Sequence, residues 1–176
     1  MGLVAEHGFH GAPMALVAKR AGVAAGTIYC YFASKDDLIR ETHAHVETRI
    51  LAALTENYPA GESVRNRFLH IGRKLVEYFI DLPMEFRFME QFFNSPYGVA
   101  HRREKLFGNK EKSIIFKLFD EALEQRIVKD LPLPILCALI FGPLVDVCRD
   151  HSLEFVVLDD ALIDRIVAAC WDGVKR

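Results

Sequence analysis

Residues 14–38, MALVAKRAGVAAGTIYCYFASKDDL, indicate two short helices joined by a glycine turn and followed by a third, capped helix. Val17, Ala18 and Ala21 recur on one helix face, and Gly22 supplies the permissive backbone on which a helix ends. Two short helices around a tight turn are an arrangement suited to reading DNA. This stretch therefore predicts a DNA-binding unit.

The second short helix can be read in two ways from its residues alone. Ile28 and Phe32 lie four residues apart and face inward if the segment is helical, so that Thr27, Cys30 and Tyr31 face outward together. The same stretch is rich in β-branched and aromatic residues and alternates well enough for a buried strand. Propensity by itself favours the strand.

A long helix is predicted after Ser34. Ser34-x-x-Asp37 is a capping-box pattern with aspartate in the glutamate position, and a periodic apolar run follows it as far as Leu54.

Residues 22–38, GVAAGTIYCYFASKDDL, resemble the helix-turn-helix signature of the TetR family of transcriptional regulators over seventeen positions without a gap. Upstream, Ala5–Phe9 resemble the end of that family's first helix, with Gly8 as its left-handed cap. The resemblance decides for a helix over a strand. It implies a second helix near Ala15–Ala21, a recognition helix near Ala25–Tyr31 and a fourth helix from Lys35 to about Leu54.

The same resemblance implies which residues face DNA. Hydroxyls such as that of Thr27 can donate to phosphate oxygens, and Lys35 can share a phosphate with the N–H groups that begin its helix. Base reading would fall to Ala25, Cys30 and Tyr29, two of which are too short to indicate an operator sequence. The predicted DNA-binding residues are Ala25, Gly26, Thr27, Tyr29, Cys30, Tyr31 and Lys35.

Three features depart from the family pattern. Only Met1–Glu6 precede His7, whereas the family usually has a longer first helix, so either residues are missing or the DNA-binding unit is incomplete. Ala12 and Ala24 stand where the family places serine or threonine helix caps. Residues 1–54 carry five Lys and Arg against five Asp and Glu, which predicts weak non-specific affinity for DNA.

The remainder of the chain predicts helices, so the fold class is all-α. A turn cluster at residues 58–63 (YPAGES) marks the boundary between a helix-turn-helix DNA-binding domain, residues 1–54, and an effector-binding and dimerisation domain, residues 55–176. The helices predicted in the second domain are Ser63–Asp81, Met84–Asn94, Val99–Lys129, Pro132–Leu153 and Asp159–Val174.

The last two of these helices carry broad apolar stripes that core packing alone can explain. The resemblance, which is weaker here and depends on residues 88–96 and 141–144, implies that they pair with a second copy as a four-helix bundle. A two-fold homodimer would present two recognition helices to a palindromic operator. Gly142-Pro143 predicts a kink in the pairing helix. The implied interface residues are Leu139, Leu144, Val147, Ile163, Ile166, Val167, Cys170 and Trp171.

Large aromatic side chains concentrate in the middle helices, where relatives in this family enclose an effector pocket. Any one of them can be an ordinary core residue, but the set indicates a small, largely apolar effector with a few polar anchors. The candidate pocket residues are His70, Phe79, Phe88, Gln91, Phe92 and Phe116.

Other chemistry finds little support in the 176 residues. There is no glycine-rich phosphate loop, paired-cysteine zinc motif or nucleophile elbow, and His43 and His45 diverge on their helix, so we expect no enzyme activity, no cofactor and no metal site. Four scattered cysteines fit reduced thiols, and no signal peptide or transmembrane segment is evident, which predicts a cytoplasmic protein without membrane contact.

The sequence therefore predicts a ligand-responsive transcriptional regulator, in the form of a repressor that an effector releases from its operator. The chief alternative is a dimeric helical small-molecule-binding protein without DNA-binding activity. An enzyme that uses the aromatic cavity is a more distant one.

Overall fold

The structure, a computed structural model, describes residues 1–108 and 113–176, and its regular structure is helical, as predicted. Within the described residues no strand forms, and an isolated antiparallel bridge joins Val128 to Lys175. The ten helices in these ranges are α1 (Gly2–His7), α2 (Met14–Ala21), α3 (Ala25–Tyr31), α4 (Lys35–Thr55), α5 (Val64–Asp81), α6 (Pro83–Phe93), α7 (Pro96–Phe107), α8 (Ile114–Glu124), α9 (Leu133–Ser152) and α10 (Asp160–Val174).

Most predicted helices agree with the structure to within one or two residues, but the long helix predicted over Val99–Lys129 is wrong. Helix α7 ends at Phe107, and α8 begins at Ile114 after Ser113, whose hydroxyl accepts a hydrogen bond from the Phe116 N–H at 3.4 Å. Gly108 and the Ser113 cap are stop and start signals that the prediction of one long helix overlooked. The part of that prediction on residues 109–112 lies outside the described residues.

The chain forms two compact units, and the first comprises residues 1–49 and 82–104. Its core is rich in aromatic side chains from α6, against which α1 packs. Glu85 on α6 is buried and forms an ion pair with Arg49, which compensates the charge that burial would otherwise disfavour. The largest buried core residues of α6 are Phe86, Phe88, Met89 and Phe92.

The second compact unit comprises residues 50–81 and 105–176, in which α5 packs against α8, α9 and α10. Gly72 permits a close approach of α5 and α10, because a Cβ atom there would lie 2.6 Å from Cγ1 of Val167. Arg73 on α5 joins the same two helices through ion pairs with Asp160 at 2.8 Å and Asp164 at 2.6 Å. Residues 82–104 thus group with the N-terminal residues, while the functional division at residue 54 stays a prediction.

Candidate DNA-binding site

Helices α2 and α3 are held together by a small apolar core. Met14 and Ala18 of α2 and Ile28 of α3 are buried in one cluster, against which Phe32 and Leu38 pack. Since α2 has eight residues and α3 has seven, neither is long enough to be stable in water without such contacts.

The turn between the two helices has the predicted geometry. Gly22 adopts the left-handed conformation, with φ 68° and ψ 26°, and its N–H donates to the carbonyl groups of Ala18 and Lys19. A side chain at Gly22 would strain this backbone. Val23, which follows the turn, is exposed.

The outward face of α3 also agrees with the prediction. Tyr31 is 80% exposed and Tyr29 is 53% exposed, whereas Ile28, which directly precedes Tyr29, is buried. Apart from its chain neighbours and the backbone of its own helix, no atom lies within 4 Å of the position that a Cβ would take at Gly26, so the backbone there is open to approach. The other predicted contact residues of this helix, Ala25, Thr27 and Cys30, are exposed as well.

Lys35 has a structural contact that the sequence did not indicate. Its ammonium group donates to the backbone carbonyl of Phe9, and the side chain is partly buried. The Phe9 ring in turn contacts Tyr97, with 5.3 Å between ring centroids. Because an ammonium has three N–H donors, this bond leaves capacity for a phosphate while it also fixes the start of α4.

The caps around the site are mixed. The Asp37 N–H donates to the Ser34 hydroxyl at 3.1 Å, and that hydroxyl donates to the Asp37 carboxylate at 2.7 Å, so the capping pattern is confirmed. Neither Pro13 before α2 nor Ala24 before α3 makes a side-chain cap hydrogen bond, as expected. Gly8 has the positive φ of 67° predicted for it, but its ψ of 179° is extended rather than left-handed.

Several cations of the first 54 residues already contact carboxylates. Arg20 donates two hydrogen bonds to Glu6, at 2.6 and 2.7 Å, and these bonds lower the pKa of Glu6 and raise the pKa of Arg20. Arg40 lies 3.8 Å from a carboxylate oxygen of Asp37. The positive charge available for phosphates is therefore smaller than the residue count suggests.

The predicted effector residues are divided between the two compact units. Phe88, Gln91 and Phe92 belong to the first unit, where both phenylalanines are buried and Gln91 is exposed. His70, Phe79 and Phe116 belong to the second unit.

The second unit contains a small cavity of about 10 Å³ whose lining is almost entirely apolar. Such a volume is close to the minimum for one water molecule. Two buried side-chain nitrogens of α5, Nε2 of His70 and Nε of Arg67, have no hydrogen-bond partner among the described residues. Arg67, which is not among the residues predicted for the pocket, forms an ion pair with Glu121 through its Nη2. The cavity is lined by Val64, Phe68, Ile71, Ile115, Leu118, Phe119, Ala122, Val128, Phe141 and Trp171.

Of the eight predicted interface residues, five are covered by their own protomer. They are largely inaccessible to a second copy because they fill the core that α5, α9 and α10 share. Leu139 is 44% exposed, and Val147 and Ile166 are half-buried. Helix α9 continues through Pro143 without a break. The five covered residues are Leu144, Ile163, Val167, Cys170 and Trp171.

Comparison with known proteins agrees with this architecture. Residues 1–42 match the family described as bacterial regulatory proteins, tetR family, and residues 64–175 match the tetracyclin repressor-like C-terminal domain. The chain belongs to the TetR family. As a member of that family it is a transcriptional regulator with a helix-turn-helix and not an enzyme.

Three relatives illustrate the similarity. An HTH-type transcriptional regulator of Haemophilus influenzae is 21% identical over 175 residues, which cover 99% of this chain and 90% of the relative. A TetR family protein from Vibrio parahaemolyticus is 28% identical with a TM-score of 0.74, covering 99% of this chain and 93% of that one. A TetR family regulator from Marinobacter aquaeolei is 23% identical with a TM-score of 0.84, covering 98% and 89%.

TetR regulators bind DNA and are typically dimers. None of the helices in residues 1–108 and 113–176 is long and apolar enough to cross a membrane.

Proposed function

We propose that this TetR-family protein is a ligand-responsive repressor that binds a palindromic operator as a homodimer and is released by a small, largely apolar effector. The observation that carries the proposal is the face of α3, where Tyr29 and Tyr31 are exposed beside a buried Ile28. Aromatic side chains gathered on an exposed helix face favour a binding role over a purely structural one. A regulator of this kind works where the chromosome lies, in the cytoplasm.

The expected division of labour on DNA follows from the side-chain chemistry. The hydroxyl groups of Thr27, Tyr29 and Tyr31 would donate to phosphate oxygens and position α3 in the major groove. Lys35 would add a charged contact with the N–H donors it does not use on Phe9. Ala25 and Cys30 would face base edges, with Gly26 allowing close approach.

The dimer would form through the outer faces of α9 and α10. On α9, Ile135 and Leu139 lie one turn apart, are each nearly half exposed, and form an apolar surface that a partner would cover. Ile166 on α10 and Val147 on α9 contribute their accessible parts. The covered residues of these helices, such as Val167 and Trp171, would support this surface from within the protomer.

The effector would bind among the helices of the second unit. The orphaned nitrogens of His70 and Arg67 are polar groups that a ligand atom can satisfy, which supports an effector that is apolar with a polar end. Because the cavity holds about 10 Å³, the effector must select a conformation in which this space is larger.

Release then requires that the effector-bound state separates the two recognition helices differently from the operator-bound state. If the effector binds the effector-bound state about 2.7 kcal/mol more tightly than the operator-bound state, DNA binding weakens a hundredfold.

The operator can be found by in vitro selection of random duplexes on the purified chain at low salt. We expect enrichment of a palindrome, with footprints that span two half-sites. No enrichment would contradict the repressor function and would leave a dimeric small-molecule-binding protein as the alternative.

The dimer can be tested separately by sedimentation. Leu139→Glu should yield monomers, because it places a charge in the apolar interface. Val157→Glu is the matched control, since Val157 is an exposed aliphatic residue of the same unit outside α9 and α10, and it should remain dimeric. If both Leu139→Glu and Val157→Glu remain dimeric, Leu139 is not part of the dimer interface.

A further inference from the structure

The first compact unit brings together two histidines and a glutamate that are distant in the sequence. His43 and Glu47 lie one turn apart on α4, and His101 comes from α7. One ligand atom from each of the three side chains lies within 4.8 Å of the other two. The rings of His43 and His101 are in contact, with 4.4 Å between their centroids.

These distances are close to those of a metal centre. Zinc bonds to histidine nitrogen and carboxylate oxygen are about 2.0–2.2 Å long, so tetrahedral ligand atoms are about 3.4 Å apart. Nε2 of His101 already lies 3.7 Å from a carboxylate oxygen of Glu47. Small rotations of these side chains would complete the arrangement.

The surroundings also suit a bound ion. His43 is only 4% exposed, and the ring of Phe92 stacks on it with 3.8 Å between centroids. Phe93 approaches the same imidazole edge-on at 6.1 Å. An apolar shell of this kind orients a ligand and limits solvent. The side chain of Glu47 is 39% exposed, which gives an ion and a water molecule a route to the cluster.

We propose that His43, Glu47 and His101 form a binding site for a divalent transition-metal ion of the zinc class. Three protein ligands of two nitrogens and one oxygen leave a fourth position for water or another donor. This ligand set favours Zn²⁺, Co²⁺ or Ni²⁺ over Ca²⁺ and Mg²⁺, which prefer oxygen ligands alone.

From the sequence we expected no metal site, because His43 and His45 diverge on their helix. His45 is exposed on another face of α4, and the actual partner of His43 and Glu47 is a residue more than fifty positions away. The i, i+4 spacing of His43 and Glu47 was the available signal. Only the packing of α7 against α4 supplies the third ligand.

The site has a regulatory consequence that rests on the proposed function. Helix α4, which Ser34 caps, begins shortly after the recognition helix α3. An ion that links α4 to α7 would therefore restrict the movement of α4 relative to α7. Metal binding would then change operator affinity, since a ligand that prefers one of two conformations shifts their populations.

The test uses tag-free protein that has been treated with a chelator and then titrated with ZnCl₂ by calorimetry, with metal content measured by mass spectrometry. We expect one Zn²⁺ per chain. His101→Ala and Glu47→Gln should each weaken binding by at least about a hundredfold, since even the loss of groups around a ligand costs up to that much. Co²⁺ should give visible absorption bands in the wild type and lose them in both variants.

Matched controls are available on the same helix. His45→Ala and Glu41→Gln remove the same residue types from exposed positions of α4 and should bind Zn²⁺ as the wild type does. Circular dichroism checks that each variant is folded. The proposal is overturned if the wild type takes up no Zn²⁺, or if folded His101→Ala and Glu47→Gln bind it as tightly as the two controls.

The regulatory part has its own measurement. Zn²⁺ should alter the operator affinity of the wild type and leave that of His101→Ala unchanged. If neither protein binds any duplex, the proposed function fails while the metal titration still stands. If both bind DNA identically with and without Zn²⁺, the regulatory consequence is wrong.

Discussion

The helix pair α2 and α3 and the group of α5, α9 and α10 are built in different ways. The pair depends on three buried residues, and its second helix exposes most of its side chains. In the group, side chains such as Leu136, Ile140 and Val174 are fully buried, and ion pairs of Arg73 join α5 to α10. Under the proposed function α3 is kept exposed for contact with DNA, and we expect the larger core of α5, α9 and α10 to contribute more to stability than the α2–α3 cluster.

The largest expected effect lies in the C-terminal core. Trp171 is 3% exposed and packs on Phe68 with 5.1 Å between ring centroids, so Trp171→Ala should lower the free energy of unfolding by about 3–5 kcal/mol. Ile28→Ala should cost about 2 kcal/mol, because its small cluster can relax around the loss. Urea unfolding followed by circular dichroism measures both. Equal losses of unfolding free energy in the two variants would contradict the proposed difference between the two regions.

The cysteines offer a second contrast. Cys30 on α3 is exposed, whereas Cys170 on α10 is buried and its pKa is raised by that burial. Thiolate is the reactive form, so a thiol reagent should label Cys30 faster than Cys170. We expect a difference of about a hundredfold, which corresponds to a free energy of about 2.7 kcal/mol for the local opening that exposes Cys170. Mass spectrometry of quenched samples identifies the site. Labelling of Cys170 first would show that α10 is the looser helix.

A third contrast concerns pH. The hydrogen bond from Arg67 holds the pKa of Glu121 below its ordinary value. The pair therefore contributes stability above the pKa of the unfolded carboxyl, and this contribution is lost as the pH falls through the lowered native pKa. Glu121→Gln should cost about 1 kcal/mol at pH 7, a modest amount because the carboxylate reaches solvent.

The measurement is the unfolding free energy of the wild type and of Glu121→Gln, determined by urea unfolding at a series of pH values. The gap in unfolding free energy should close at acid pH. A gap that persists unchanged at pH 3 would mean that the pair acts through packing rather than charge.

A further prediction concerns the salt dependence of DNA binding. Among residues 1–54, Arg20, Arg40 and Arg49 pair with carboxylates, so Lys19 and Lys35 are the cations of this range that we expect to contact phosphates in each protomer. Each phosphate contact contributes about −0.9 to the slope of log K against log salt, so a dimer with four such contacts should give about −4. A slope near −10 would show that the electrostatic contribution is much larger than these residues supply.

The fold followed from the sequence wherever periodicity and caps agree. The extent of α3 was predicted because the family resemblance overrode a strand-like composition, and the turn was predicted from Gly22 itself. The break between α7 and α8 was missed, although Gly108 and Ser113 are stop and start signals in the sequence.

The sites were predicted less completely than the fold. The outward face of α3 could be predicted from the periodicity of a helix. The bond from Lys35 to Phe9 and the cluster around His43 could not, because they depend on contacts between distant segments. For the interface, an apolar stripe does not reveal whether its own chain or a second copy covers it. Trp171 and Val167 are covered by their own chain.

The proposed function depends most on contact between the outward face of α3 and DNA. Fluorescence anisotropy with the selected operator should show that Tyr31→Ala binds about a hundredfold more weakly, since each protomer loses a hydrogen bond to a charged phosphate worth about 1.5 kcal/mol. Phe155→Ala is the control, because Phe155 is 78% exposed and Tyr31 is 80% exposed. The control should bind as the wild type does, and both variants should unfold at the wild-type temperature. Wild-type affinity in a folded Tyr31→Ala variant would contradict the proposed contact.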